Sequence, residues 1–249
     1  MMIESRNNPI IKATRALLQS GARREAGTHL IEGEKLVAEA VASGARILDL
    51  FLREGQAFQT LEGARVHSVT QSVLESICDA KTPQGVAAVV QTPDLTPPTQ
   101  FPEGLLVLLD SVQDPGNVGA IIRSSDAFGA CGVLLGAGCA DPFAPKTLRA
   151  AMGSTYHVPI WQGALPPLLD GLHAQGYLTL CGHLRGAETL PPLGSRVALV
   201  IGSEGQGVSN DVAARCTLYR LPMPGRAESL NASVAAGVLL YAVSMRMPH

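Results

Sequence analysis

Charge is sparse in this chain: acidic and basic residues make up 16% of 249, and acids exceed bases by only two, 21 against 19. With 46% hydrophobic residues, that balance excludes an intrinsically disordered chain, a highly charged tail protein and a fibrous repeat. Long apolar runs are missing too. The charge-free, mostly apolar stretch Ser229 to Met245 is shorter than the ~20 apolar residues that cross a bilayer. Asn231, Ser233 and Ser244 interrupt it, so it reads as a buried helix, and no membrane partner is expected. Near the start, Glu4, Arg6, Asn7, Asn8 and Pro9 leave no apolar core for a secretory signal, so a cytoplasmic location is expected. Cysteine pairs are absent as well. Cys78, Cys131, Cys139, Cys181 and Cys216 are widely spaced, form no C-x-x-C, and read as buried free thiols. The histidines, His157 among them, show no ligand spacing, so no metal is expected.

What is present is enough chain for one to two domains. The clearest break is the segment Thr92 to Pro102, whose four prolines predict an extended, stiff linker. We set the divisions at 1–92, 93–103 and 104–249. Upstream, the pattern predicts a basic helix over 9–19, strands over 29–32, 47–52, 66–69 and 85–91, and helices over 34–43 and 73–79. Downstream, strands over 105–109, 132–135, 157–161, 177–181 and 197–201 alternate with helices over 118–128 and 167–175. The fold class is therefore α/β, a small N-terminal α/β unit followed by a mostly parallel sheet covered on both faces. Ligands of such sheets bind beyond the carboxyl ends of the strands, which directs attention to the loops after Leu109 and Ile201.

Three loops carry more than packing requires. In the first, Asp110 to Asp126, Pro115-Gly116 turns the chain, Asn117 is expected to cap the next helix, and Val118, Ile121, Ile122 and Ser125 form its inward stripe. Arg123 lies off that stripe; pairing with Asp126 or Asp114 is its plain structural reading. In the second, Val200 to Ser209, a strand runs into Gly202, Gly205 and Gly207 with Glu204 at the tip, and Ser209 or Asn210 caps the next helix. Its G-x-x-G-x-G spacing is not the dinucleotide fingerprint, and no P-loop lysine is present after it, which disfavours a nicotinamide oxidoreductase. In the third, Leu221 to Val234, two prolines and a glycine precede a helix capped by Ser229 or Asn231. Val234, Val238, Leu239, Tyr241, Val243 and Met245 cover more than one face of that helix, which suits either an ordinary core helix or one buried by its own sheet and a second subunit.

Taken in order, D-x-x-x-D-P-G-N-x-G-x-x-x-R at 110–123, I-G-S-E-G-x-G at 201–207 and L-P-M-x-G-x-x-x-S-L-N-x-S at 221–233 resemble the three motifs of SpoU/TrmH-type RNA ribose 2′-O-methyltransferases. Ser5-Arg-Asn-Asn-Pro9, Leu30-Ile-Glu-Gly-Glu-Lys35 and Thr82-Pro-Gln-Gly85 are similar to the same family's N-terminal substrate-binding domain. The resemblance implies a C-terminal domain with a deep trefoil knot, a homodimer through that domain, and S-adenosylmethionine as cofactor. It implies Gly202, Leu221 and Leu230 as cofactor positions, with Ile201, Met223 and Ser229 as neighbours. It implies Asn117, Arg123, Glu204, Ser229 and Asn231 as the polar active-site set.

The family's base role for the first-motif arginine sits poorly with a guanidinium, whose pKa exceeds ~12 and which has no acceptor while charged. We expect Arg123 to grip a phosphate beside the target ribose and orient the hydroxyl. The acid-free run containing Arg6, Lys12, Arg15, Arg23 and Arg24 reads as a solvated face, and under the resemblance Arg6, Lys12, Arg23 and Arg24 become phosphate contacts for folded RNA. Ribosomal RNA is favoured over transfer RNA as substrate; a non-catalytic RNA-binding protein of the same fold is the alternative.

Overall fold

The structure is a computed structural model describing residues 2–248. Its elements run α1 (Pro9–Ala16), α2 (Ser20–Ala26), β1 (Thr28–Glu32), α3 (Glu34–Ala42), β2 (Ile47–Arg53), β3 (Arg65–Val69), α4 (Gln71–Ile77), β4 (Val86–Gln91), β5 (Gly104–Asp110), α5 (Pro115–Ala127), β6 (Gly132–Leu135) and α6 (Pro145–Ala151). After a short 3-10 turn at Ser154–Tyr156 come β7 (Ile160–Gln162), α7 (Leu165–Ala174), β8 (Leu178–Ala187), β9 (Arg196–Gly202), α8 (Asn210–Ala213), β10 (Thr217–Tyr219) and α9 (Ala232–Ser244).

The first sheet has the order β1-β4-β2-β3, antiparallel except between β2 and β3. The second is wholly parallel, β10-β8-β9-β5-β6-β7. Alternation along β5 explains why both of its faces are covered. Leu105, Val107 and Leu109 pack with Val118, Ile121 and Ile122 of α5 and with Ala236, Leu239 and Leu240 of α9. Leu106 and Leu108 pack on the opposite side with Leu165, Leu169 and Leu172 of α7 and Val212 of α8. Each fully buried Leu or Ile contributes about 1.5–3 kcal/mol. Close packing also decides one glycine: a Cβ on Gly119 of α5 would lie 2.3 Å from the Thr147 carbonyl oxygen, so α5 meets α6 at a distance only glycine permits.

Strand order reverses between β5 and β9. From β5 the sheet continues to β6 and β7, from β9 to β8 and β10, and Asp110 pairs with Gly202 where the two loops leave the sheet. That switch point is where a parallel sheet opens a crevice.

Several sequence expectations need correction. The helix expected over 9–19 ends at Ala16 in turns closed by the Leu17 and Gln19 N–H groups, and a second, unexpected helix, α2, follows from Ser20. The helix expected from Val118 begins at Pro115, and Asp114, not Asn117, is its cap, accepting from the Asn117 N–H at 3.0 Å. Pro115 at the first helical position suits this start, since its missing N–H needs no partner there. The strand expected over 157–161 starts later, with β7 at Ile160–Gln162, after a 3-10 turn that ends at Tyr156.

Arg23 is not on a solvated face. It is buried, 6% exposed, donates to Asp141 at 2.6 and 2.9 Å and to the Leu17 carbonyl at 2.7 Å, and so is not free for a phosphate. Arg6, Lys12 and Arg24 are exposed. Other side chains join the two halves of the chain in the same way. Arg149 on α6 meets Glu32 at 2.9 Å and Asp79 at 2.6 Å. His29 of β1, fully buried, bridges Thr92 at 3.0 Å and Tyr156 at 2.8 Å. Burial, with Arg23 nearby, pushes His29 down to about 3, so its ring is neutral.

Candidate active site

The crevice is built from the three loops. Asp110 ends β5 buried, and its carboxylate accepts from the Ser209 N–H at 2.7 Å, tying the first loop to the segment after β9. Ser111 next to it takes a left-handed φ of 57°, and its hydroxyl donates to the Ala137 carbonyl at 3.2 Å. The second loop closes on itself: Ser203 and Gly207 exchange backbone hydrogen bonds of 3.1 and 2.9 Å. A Cβ on Gly202 would fall 2.1 Å from the Gly207 carbonyl carbon, which explains why glycine starts this turn.

With Asp114 taking the cap, the Asn117 side chain is released toward the other loops. Its Nδ2 donates to Glu204 Oε1, and its Oδ1 accepts from Asn231 Nδ2 at 3.1 Å. Asn231 is itself the cap of α9, accepting from the Ser233 N–H at 3.0 Å and the Val234 N–H at 3.3 Å. One chain of amides and carboxylate thus joins residues separated by 114 positions. Asp114 is held below its ordinary value by Lys146, 2.7 Å away, and by the Asn117 N–H, so it remains a charged cap.

Beside this chain lies a cavity of about 430 Å³. Ile201, Gly202, Leu221, Met223 and Leu230, the expected cofactor positions, all line it, as do Glu204 and Ser229. Asn117 and Asn231 stand next to it through Glu204. Arg123 does not line it; it is exposed on α5, and among the described residues neither Asp126 nor Asp114 pairs with it, since His157 and Lys146 occupy them.

Sequence reasoning misses three polar contributors: His183 after the buried part of β8, Arg220 after β10, and Glu228 in the third loop. The signal available for His183 is its position at the end of a parallel strand. The lining suits an S-adenosylmethionine-sized ligand. Its volume is within the roughly 300–1,000 Å³ of small-molecule sites. Aliphatic walls match an adenine and a thioether chain, Glu204 and Glu228 match cationic groups, and Arg220 matches a carboxylate.

Comparison with known proteins agrees with this geometry. Residues 104–241 match the SpoU rRNA Methylase family, and residues 8–88 match the MRM3-like substrate binding domain. The chain is 36% identical to the 23S rRNA (guanosine(2553)-2'-O)-methyltransferase RlmP of Bacillus subtilis (strain 168), over 96% of this chain and 97% of that protein. It superposes on the AdoMet-bound rRNA methyltransferase from Sinorhizobium meliloti with a TM-score of 0.89 and 32% identity, covering 98% of this chain and 97% of the other. The AdoMet complex of the SpoU methyltransferase AviRb from Streptomyces viridochromogenes gives a TM-score of 0.83 at 27% identity, covering 96% and 98%. With the second and third motif loops lining one cavity and the first hydrogen-bonded to both, a family model spanning the whole second sheet and a relative similar along nearly the whole length, the chain belongs to the SpoU rRNA methylase family.

Proposed function

We propose that this chain methylates a ribose 2′-hydroxyl of structured RNA, ribosomal RNA in particular, using S-adenosylmethionine. The observation that carries the reading is the hydrogen-bonded run Glu204–Asn117–Asn231, which joins the three motif loops beside a cavity lined by all five expected cofactor positions. When bound, the cofactor supplies an electrophilic methyl group. Ile201, Gly202, Leu221, Met223 and Leu230 hold it.

The chain's own polar groups do the remaining work. Asn117 and Asn231 fix the loops, and Ser229, on the cavity wall, orients the incoming hydroxyl. Glu204 is engaged by Asn117 through one oxygen, which makes it an organiser of the loop. Arg123, exposed and unpaired among the described residues, is available for a backbone phosphate beside the target sugar; its planar fork orients rather than deprotonates. Orientation of this kind supplies several kcal/mol toward the barrier. Exposed Arg6, Lys12 and Arg24 give phosphate contacts on the N-terminal half.

Residues 1–92 form the RNA-binding domain, 93–103 the linker and 104–249 the methyltransferase domain with a deep trefoil knot. The site is completed as a homodimer through α9, a reading supported by the exposed apolar face of Val234, Val238, Tyr241 and Met245. An rRNA substrate implies the cytoplasm. Incubating the protein with unmodified 23S rRNA transcript and methyl-labelled cofactor tests the reading. We expect label in a single alkali-resistant dinucleotide. Label on a base contradicts ribose chemistry, label on transfer RNA alone contradicts the substrate, and RNA binding without transfer favours the non-catalytic alternative.

A further inference from the structure

Two N-terminal motifs play no part in the cavity described above, Leu30-Ile-Glu-Gly-Glu-Lys35 and Thr82-Pro-Gln-Gly85. They converge on a second cavity of about 380 Å³ between the two halves of the molecule. Gly33 and Lys35 come from the first motif, Leu36 from the helix α3 that the motif runs into, Pro83 and Gln84 from the second, and Met152 from the end of α6.

Three features of this cavity point to a ligand. The first is the backbone of Met152, one of two non-glycine residues with positive φ among the described residues; the other, Ser111, sits in the first catalytic loop. A helix ending in the left-handed region is ordinarily closed by glycine, because a Cβ is disfavoured there. Here the strained position instead carries a large apolar side chain that is 54% exposed at the cavity mouth. Strain kept at a surface position points to use. The second is charge. Both acids on the wall are ion-paired, Glu32 to Arg149, which also holds Asp79, and Glu39 to His157 at 2.7 Å. The charge left on the lining is Lys35, exposed and without an ion-pair partner among the described residues, and Lys81 stands exposed beside the second motif. The third is Gln84, exposed, whose amide makes no hydrogen bond among the described residues and lies 3.5 Å from where a side chain on Gly33 would begin. Glycine at 33, with a φ of 94°, keeps that approach open.

We propose that this cavity takes an unstacked nucleobase of the RNA substrate, with Met152 against its face, Gln84 at its hydrogen-bonding edge and Lys35 on an adjoining phosphate. Sequence-specific RNA recognition works on splayed-out bases in this way, combining an apolar plate, an edge contact and a cation. The cavity walls come from both halves, so filling it also fixes the RNA relative to the methyl-transfer cavity. The inference rests on the RNA-methyltransferase reading and assigns that reading its base-recognition pocket.

Met152→Asn tests it, because asparagine tolerates the left-handed backbone but removes the apolar plate; Gln84→Ala and Lys35→Ala test the edge and the phosphate. Affinity for unmodified 23S rRNA transcript is expected to fall about tenfold for Met152→Asn and Gln84→Ala, with KM for RNA rising in parallel, cofactor affinity by calorimetry unchanged and melting temperature not lowered. Lys35→Ala is expected to reduce the slope of log affinity against log salt by about one. RNA affinity within twofold of wild type for Met152→Asn and Gln84→Ala, while wild type binds both cofactor and transcript, overturns the pocket and leaves the methyltransferase reading standing. A wild-type protein that binds neither cofactor nor transcript overturns both.

Discussion

At the scale of single residues, two side chains separate positioning from structure. Asn231 caps α9 through its Oδ1 and steadies Asn117 through its Nδ2. Asn231→Ala is expected to lower stability by about 1 kcal/mol, the ordinary worth of such a cap, which corresponds to a fall in Tm of about 2–4 °C in a protein of this size. Because the same substitution frees Asn117, methyl transfer should fall further than unfolding accounts for; unchanged turnover in the folded variant would contradict the hydrogen-bonded run. Arg123 is the other case. With no partner among the described residues, its replacement by lysine leaves stability alone, and the loss of a planar two-pronged contact should reduce kcat/KM about tenfold, or about 1.4 kcal/mol. Wild-type rates across pH for Arg123→Lys would rule out the clamp.

At the scale of elements, most strands of both sheets are legible in the sequence because apolar runs between proline and glycine turns are local signals. Short elements are not: α6, α8 and β10 have seven residues or fewer and take their conformation from what they pack against. The three motif loops are legible through residue type and order, yet their wiring is not. Asn117 reads as a cap only if the helix starts three residues late, at Val118, and the structure gives that work to Asp114. Arg23 reads as surface because no local pattern reveals a partner 118 residues away, Asp141.

The same limit hides His157. It receives Glu39 of α3 at 2.7 Å and Asp126 of α5 at 2.9 Å, so it clasps the N-terminal half to the helix that bears Asn117. Asp126 and then Glu39 raise His157 above its ordinary 6.5. A folded-state value above the unfolded one stabilises fully below about pH 6.5 and is lost as pH rises through the folded value. The stability difference between wild type and His157→Gln should therefore shrink as pH rises above about 6.5 in denaturant titrations; a difference independent of pH would refute the clasp.

At the scale of the whole molecule, the two halves are joined by side-chain bridges rather than by the segment 92–103 alone. That segment is itself pinned, with the Leu95 carbonyl accepting from the Gln162 N–H at 2.8 Å and Phe101 packed edge-on against Trp161. The halves are therefore tied into one frame beside the crevice at the β5–β9 switch point. Under the proposed homodimer, the outward face of α9 is the surface for a second copy. Tyr241, 56% exposed, packs edge-on against Phe128, and an aspartate there should convert a dimer to a monomer in sedimentation experiments without unfolding it; a wild-type monomer would remove the dimer. The account as a whole depends on the second and third motif loops forming one cofactor cavity, with the first loop bonded to both, and titration calorimetry with S-adenosylmethionine tests that most directly. Wild type should bind one molecule per chain, and Gly202→Ala, which crowds the second loop, should abolish binding. Absence of heat with wild type, or equal binding by a folded Gly202→Ala, would contradict it.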